Sequence, residues 1–267
     1  MRKLLIMLCF ISTLFAYEIT NGRTFVLEVE SGAKVLLDGK KLLLLQHPTK
    51  KNSFFVLLPV GYKDKIENKK LVYIKDGKTK NLVLHVNKGK YKKETLNVDP
   101  KKVKPSKKAL NRIYKEYMES KKIYATFTKK RYWSKPFKNP MNTKITSQYG
   151  NARIFNGSLK SFHSGTDFRA PIGSPIYATN DGVVVANSKR YYSGNAVIID
   201  HGEGIYSSYS HMSRIDVKIG QHVKQGEKLG LSGSTGRVTG PHLHFGIVLD
   251  SKKIDPLDFI KKVNTLF

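Results

Sequence analysis

Short apolar runs punctuated by turn residues fill the first third of the chain. TFVLEVE, AKVLL, KKLLLLQ, SFFVLLPV, KLVYIKDG, KTKNLVLHV and ETLNV are rich in Val, Leu, Ile, Phe and Tyr, and several alternate apolar with polar positions. That period of two marks strands with one buried face. The spacing predicts about seven strands over residues 17–100, hence a small β-sandwich-like module. Within it, the run from Leu42 to Leu45 is expected to be one buried strand. Asp38-Gly39 and Asp76-Gly77 fit tight hairpin turns, where glycine accepts a positive φ.

The pattern then breaks at DPKKVKP, residues 99–105, which opens a linker over 101–136. Ser106 can cap a helix over about 106–124, with Leu110, Ile113, Tyr117 and Tyr114 on its apolar side. TFTKKRYWSKPFKNP follows, and its prolines and aromatics predict an extended segment laid across the next domain, with Trp133 as a packing anchor. Strands resume with much more glycine: KITSQYG, PIYATNDGVVVANSKR, NAVIIDHG, IYSSYSHMS, EKLGLSG and HLHFGIVL predict an antiparallel meander. This second domain spans 137–259. A short helix is expected from Asp255-Pro256, because proline suits a first helical turn, and 260–267 read as a tail. The fold class expected is mainly β.

Composition refines the picture in three ways. Residues 1–16 carry Arg2 and Lys3, an apolar run from Leu4 to Phe15, then Ala16, the layout of a secretory signal cut near Ala16. Cys9, the sole cysteine, lies inside it, which leaves the remainder without a thiol for a disulfide, a nucleophile or a metal ligand. Charge is uneven. Residues 17–136 hold 30 basic and 11 acidic groups (+19), and 137–267 hold 16 and 9 (+7), out of +28 in all. A field of that sign attracts polyanions, but no helix-turn-helix, zinc finger or ribonucleoprotein motif can be read, so no nucleic acid is expected. Weak association with anionic membrane or wall polymers fits the charge, and a monomer is the expected state.

The chemistry concentrates between His163 and His244. In an extended strand, side chains two apart share a face, so His242 and His244 present two imidazoles to one side, and His163 and Asp167, four apart, can do the same. Two imidazoles and a carboxylate form a usual ligand set for a catalytic zinc. Four candidates compete for three places, which leaves one free. The HExxH arrangement with its glutamate base is absent. Histidine must then supply acid–base chemistry, from His211 in YSHMS and from whichever of His242 and His244 is not a ligand. His47, His85, His201 and His222 read as structural.

Taken together, ITSQYGNAR, HSGTDFRAPIGSPIYAT, VIIDHGEGIYSSYSHMS and VKIGQHVKQGEKLGLSGSTGRVTGPHLHFGI resemble zinc metallopeptidases of the lysostaphin/LytM type, which cut peptide bonds in bacterial peptidoglycan. The resemblance covers roughly 137–259. It implies one zinc held by His163, Asp167 and His244, with His211 and His242 as the catalytic pair. It further places Asn156 and Arg153 near the cleft; Tyr209, two residues before His211 and so on the same face of a strand, is a candidate substrate contact. The activity implied is D,D-endopeptidase or D,D-carboxypeptidase action on stem peptides or cross-links, in the periplasm of a Gram-negative cell, with an effect on cell shape following from wall cutting. A non-catalytic relative that binds the wall and activates another hydrolase is the competing reading. The N-terminal module is expected to be regulatory, lying against the groove and masking the zinc.

Overall fold

The computed structural model describes residues 15–267. The expected signal segment lies outside the described residues except for its last two positions. The N-terminal module contains β1 (Phe15–Thr20), β2 (Thr24–Glu30), β3 (Lys34–Leu37), β4 (Lys40–Lys41), β5 (Leu45–Gln46), β6 (Ser53–Pro59), β7 (Lys69–Lys75) and β8 (Lys78–Asn87). One sheet runs β1-β8-β7-β3-β4 and the other β2-β6-β5. Their inner faces bury Phe25, Val29, Val35, Val56, Leu71, Leu82 and Leu84, so the module is a two-sheet sandwich, as the alternation predicts. Asp38 and Gly39 (φ 49 and 80) and Asp76 and Gly77 (φ 49 and 70) make the tight β3–β4 and β7–β8 turns with consecutive positive φ values.

Two strand assignments change. The run Leu42–Leu45 is not one strand: β4 belongs to the first sheet and β5 to the second, so residues 42–44 carry the chain between layers and leave Leu43 largely exposed. ETLNV forms β9 (Lys93–Leu96), but β9 leaves the sandwich and pairs in parallel with a strand of the second domain.

Helix α1 (Lys107–Ala125) starts where Ser106 predicts, its Oγ accepting the Ala109 N–H at 3.3 Å. Its expected apolar side is not the side that docks. Leu110, Tyr114 and Tyr117 are exposed, and the helix is held by Ile123 and Tyr124 packed on Tyr206 and Val248 at its end and by polar groups along its middle. Arg190 donates to the Glu116 carbonyl (2.9 Å) and to Ser120 Oγ (2.8 Å), and Arg112 donates to the Lys189 carbonyl (2.7 Å). Periodicity locates a helix here but does not choose its contact face.

The second domain comprises β10 (Ile145–Ser147), β11 (Ala152–Phe155), β12 (Leu159–Phe162), β13 (Thr166–Arg169), β14 (Pro175–Tyr177), β15 (Gly182–Arg190), β16 (Gly194–Gly202), β17 (Ile205–Met212), β18 (Arg214–Ile215), β19 (His222–Val223), β20 (Lys228–Leu231), β21 (His242–Leu249) and β22 (Lys252–Ile254). The main sheet is antiparallel in the order β10-β13-β21-β17-β16-β15-β19. Helix α2 (Pro256–Val263) is capped by Asp255, which accepts the Leu257 N–H at 3.0 Å. The expected tail is not a tail: α2 continues past residue 259, and Val263 and Leu266 are buried in the same core as Phe259.

The two domains share that core. Leu45 and Phe55 of the sandwich join Trp133, Phe137, Phe259 and the main-sheet residues Val197, Ile199 and Phe245. Trp133 is 1% exposed, edge-on to Phe55 (6.3 Å between ring centroids) and tilted against Phe137 (5.5 Å), with the Arg131 guanidinium 4.5 Å from its ring centroid. The linker passes so close to the sheet that a Cβ on Gly202 (φ 82) would lie 1.8 Å from the Lys130 carbonyl oxygen. Glycine is therefore required at that crossing. Truncating a large, fully buried aromatic costs about 3–5 kcal/mol. Trp133→Ala should lower the stability of the whole chain by about that amount, read as a shifted urea midpoint.

Candidate metal centre

Strand pairing places the central groups. β13 and β21 run antiparallel with Asp167 opposite His244 and Arg169 opposite His242, and β17 pairs on the other side of β21 with Ser210 opposite His244. Opposed residues share a face, so Asp167, His242 and His244 face the site, while Thr166, Phe245 and Tyr209 face the core. His163 follows β12, and its backbone N–H donates to the Asn151 carbonyl (2.8 Å) while its carbonyl accepts the Gly150 N–H (2.8 Å).

The His163 Nδ1–H donates to the Gln148 carbonyl (2.8 Å), which turns Nε2 inward. That Nε2 lies 2.9 Å from Asp167 Oδ1 and 3.0 Å from His244 Nδ1, and His244 Nδ1 lies 2.9 Å from the same Oδ1. These three donor atoms could hold one metal ion. Ligands about 2.0–2.1 Å from a tetrahedral zinc stand about 3.3 Å apart, so a small expansion of this triangle accommodates the ion. The other carboxylate oxygen, Oδ2, accepts from Arg153 Nη2 at 2.7 Å. The geometry thus selects His244 over His242 as the third member, with His242 Nε2 farther away at 3.8 Å from Asp167 Oδ1. Gly165 is needed beside it, because a Cβ there would lie 2.7 Å from His244 Nε2.

His211 reaches the site through an irregularity. Between the pairs Val197–Tyr209 and Asn195–Met212, β16 advances two residues and β17 three. The extra residue is a β-bulge, which re-aims side chains, and His211 adopts φ 65 within it. Without the bulge His211 would share Tyr209's face and point into the core. With it, the His211 ring centroid is 4.7 Å from that of His242 and 6.0 Å from that of His244. His211 Nδ1–H donates to the Thr235 carbonyl (2.7 Å) and His242 Nδ1–H to the Gly240 carbonyl (2.8 Å), which leaves Nε2 of each ring unprotonated when the ring is neutral.

The bulge also corrects the expectation for Tyr209. It is fully buried, accepting the Thr179 N–H at 2.9 Å and bonded to Ser207 Oγ at 3.0 Å, so no surface of it faces a substrate. Ser207 Oγ continues to His201 Nε2 (2.8 Å), and His201 Nδ1–H donates to the Asp181 carbonyl (2.7 Å). His201 is structural, as expected, and His222 packs edge-on against Tyr132. Asn156 lies on the chain's own backbone: its Oδ1 accepts the Val98 N–H (2.8 Å) and its Nδ2 donates to the Val98 carbonyl (2.9 Å). Arg153 is brought to the centre, but as a partner of Asp167.

Electrostatics support neutral donors around one anion. Burial, reinforced by His242 and His244, pushes the His211 pKa down to about 3, and burial pushes His244 to about 4 against the opposing pull of Asp167. Burial would raise Asp167, but its bonds to the imidazoles of His163 and His244 outweigh that and hold it well below the usual carboxylate range. Neutral imidazoles and an ionised carboxylate are the forms that bind a metal. Sequence reasoning passed over Ser147, Asn151 and Glu94, which surround Arg153. The available signal was that Glu94 is the sole acidic residue between Asp76 and Asp99, in a lysine-rich run.

Residues 161–256 match the sequence profile of Peptidase family M23. Over 95 residues the chain is 48% identical to peptidoglycan DD-endopeptidase ShyA of Vibrio cholerae, a match covering 36% of this chain and 22% of that protein. It is 40% identical over 115 residues to DD-carboxypeptidase/endopeptidase Mpg of Neisseria meningitidis, covering 43% and 26%. The matches thus span about a quarter or less of the length of these relatives. A crystal structure from Pseudomonas aeruginosa, assigned to peptidase M23, is 27% identical with a TM-score of 0.67, and covers 90% of this chain and 94% of that one.

Burial lowers the His201 pKa from its ordinary 6.5 to about 4. A depressed histidine contributes stability that is complete above 6.5 and lost as pH falls toward 4, about 3 kcal/mol for such a shift. Denaturant titrations of the parent between pH 7 and 4 should show this loss, and His201→Gln should flatten that part of the curve.

Proposed function

From the match of residues 161–256 to peptidase family M23, we propose that the chain is an exported zinc-dependent peptidase that hydrolyses peptide bonds of peptidoglycan. The carrying observation is the convergence of His163 Nε2, Asp167 Oδ1 and His244 Nδ1 within 3.0 Å of one another, with two further histidines on the same face. The named activities of ShyA and Mpg, one an endopeptidase and one both carboxypeptidase and endopeptidase, support a stem-peptide or cross-link substrate. The full donor set supports catalysis over wall binding without chemistry. Arg2, Lys3 and the apolar run after them support export, and the periplasm of a Gram-negative cell is the compartment where such cross-links lie.

His163, Asp167 and His244 would hold a zinc ion, which would supply an activated water and a Lewis acid for the scissile carbonyl. Arg153 fixes the Asp167 carboxylate by its second oxygen. The Nε2 atoms of His211 and His242 then divide the remaining work. One takes the proton of the attacking water, and the other, once protonated, stabilises the developing oxyanion or delivers a proton to the leaving amine. Their Nδ1 bonds to fixed carbonyls keep both rings oriented for that role.

The purified mature protein should contain about one zinc and shorten defined muropeptides. Mass spectrometry of the products separates cross-link cleavage from release of terminal D-alanine. His244→Ala should lose both metal and activity, and full activity in that variant would refute the assignment. His211→Ala and His242→Ala should instead retain the metal and lose about 10²–10⁴-fold in kcat, the range for general acid–base groups.

A further inference from the structure

β9 comes from the N-terminal half, 59 residues before its partner, yet it forms the outer strand of the β11–β12 hairpin beside the metal centre. The register puts Glu94 opposite Arg153. Its attachment is specific at both ends: the Lys92 carbonyl accepts the Ala152 N–H (2.8 Å), and Asn156 grips both backbone groups of Val98.

Glu94 is the centre of a network that reaches two of the three metal-binding residues. Its Oε1 accepts from Ser147 Oγ (2.7 Å) and Asn151 Nδ2 (2.6 Å), and its Oε2 accepts from Arg153 Nε (3.0 Å). Arg153 Nη2 then donates to Asp167 Oδ2 (2.7 Å) and to Ser147 Oγ (2.9 Å). Asn151 supplies the carbonyl that accepts the His163 N–H, and Ser147 Oγ stands 3.1 Å from His163 Nδ1. A free arginine beside a carboxylate closes on it with two parallel N–H bonds. Here one edge of the guanidinium is committed to Glu94, so only Nη2 reaches Asp167 and Oδ1 is left for the ion. Glu94 also balances a positive charge that would otherwise repel a dication.

We propose that Glu94 is a positioning residue for the metal centre: through Arg153, Ser147 and Asn151 it orients Asp167 and His163, so the N-terminal half of the chain completes the site. This rests on the zinc reading above. It gives the segment a constructive place in the site, where the sequence alone suggested a mask.

The test uses the full mature chain carrying Glu94→Gln, which keeps the shape and removes the charge. Zinc affinity is measured by chelator competition, the cobalt-substituted form by its visible spectrum, and the metal-free protein by thermal melting. Removal of a group that orients metal ligands typically weakens binding 10–100-fold. Glu94→Gln should weaken zinc binding about 10-fold or more and alter the cobalt spectrum, with metal-free melting unchanged. If Glu94→Gln fails to fold, Arg153→Lys, which cannot span Glu94 and Asp167 together, should show the same loss. Parental affinity and spectrum in a folded variant would overturn the proposal. So would parental affinity with faster turnover, which would identify residues 93–98 as a stand-in for substrate. A parent chain that binds no zinc would overturn the functional reading itself.

Discussion

One carboxylate oxygen, Oδ1 of Asp167, has two imidazole nitrogens at 2.9 Å, and the arrangement of the second domain serves that meeting. Burying an anion is costly unless its partners are fixed in advance. The β13–β21 register does this, since a slip of one residue would turn Asp167 or His244 into the core. Carbonyls of Gln148, Thr235 and Gly240 set the tautomers of His163, His211 and His242 from behind, so these three rings enter the site already oriented.

Much of this was legible in the sequence because strand periodicity has no freedom. His242 and His244 must share a face, and alternating residues with Asp-Gly turns must give a sandwich of hairpins. The failures have one physical origin, which is that pairing partners are not encoded locally. Period-2 reasoning put Tyr209 beside His211, and one inserted residue in β17 reversed the relation. The same reasoning gave ETLNV to the sandwich because it is a good strand, although its hydrogen bonds go to β11. Helix α1 shows the limit for helices: a stripe of Leu110, Tyr114 and Tyr117 exists, yet the face that docks carries Glu116, Ser120, Ile123 and Tyr124.

The division into two domains is likewise softer than the linker composition implies. Phe55 of the sandwich and Phe259 of α2 lie in one cluster with Trp133 and Phe137, and the Asp258 carboxylate accepts the Thr24 N–H at 2.9 Å. Contacts of this kind couple the unfolding of the two halves of the chain. They also fix the distance over which β9 must reach the second domain.

The parallel pairing of β9 with β11 carries a consequence for the order of assembly. Both strands point the same way, so the chain between them has to travel out and return, and α1 with the linker makes that excursion. Contacts this distant in sequence form late, because closing the loop precedes any gain from the contact. A chain made from its N-terminus delivers Glu94 well before Arg153, Asp167 and His244. The wall that surrounds the metal site can therefore close only once nearly the entire polypeptide is present, so its final geometry belongs to the last steps of folding.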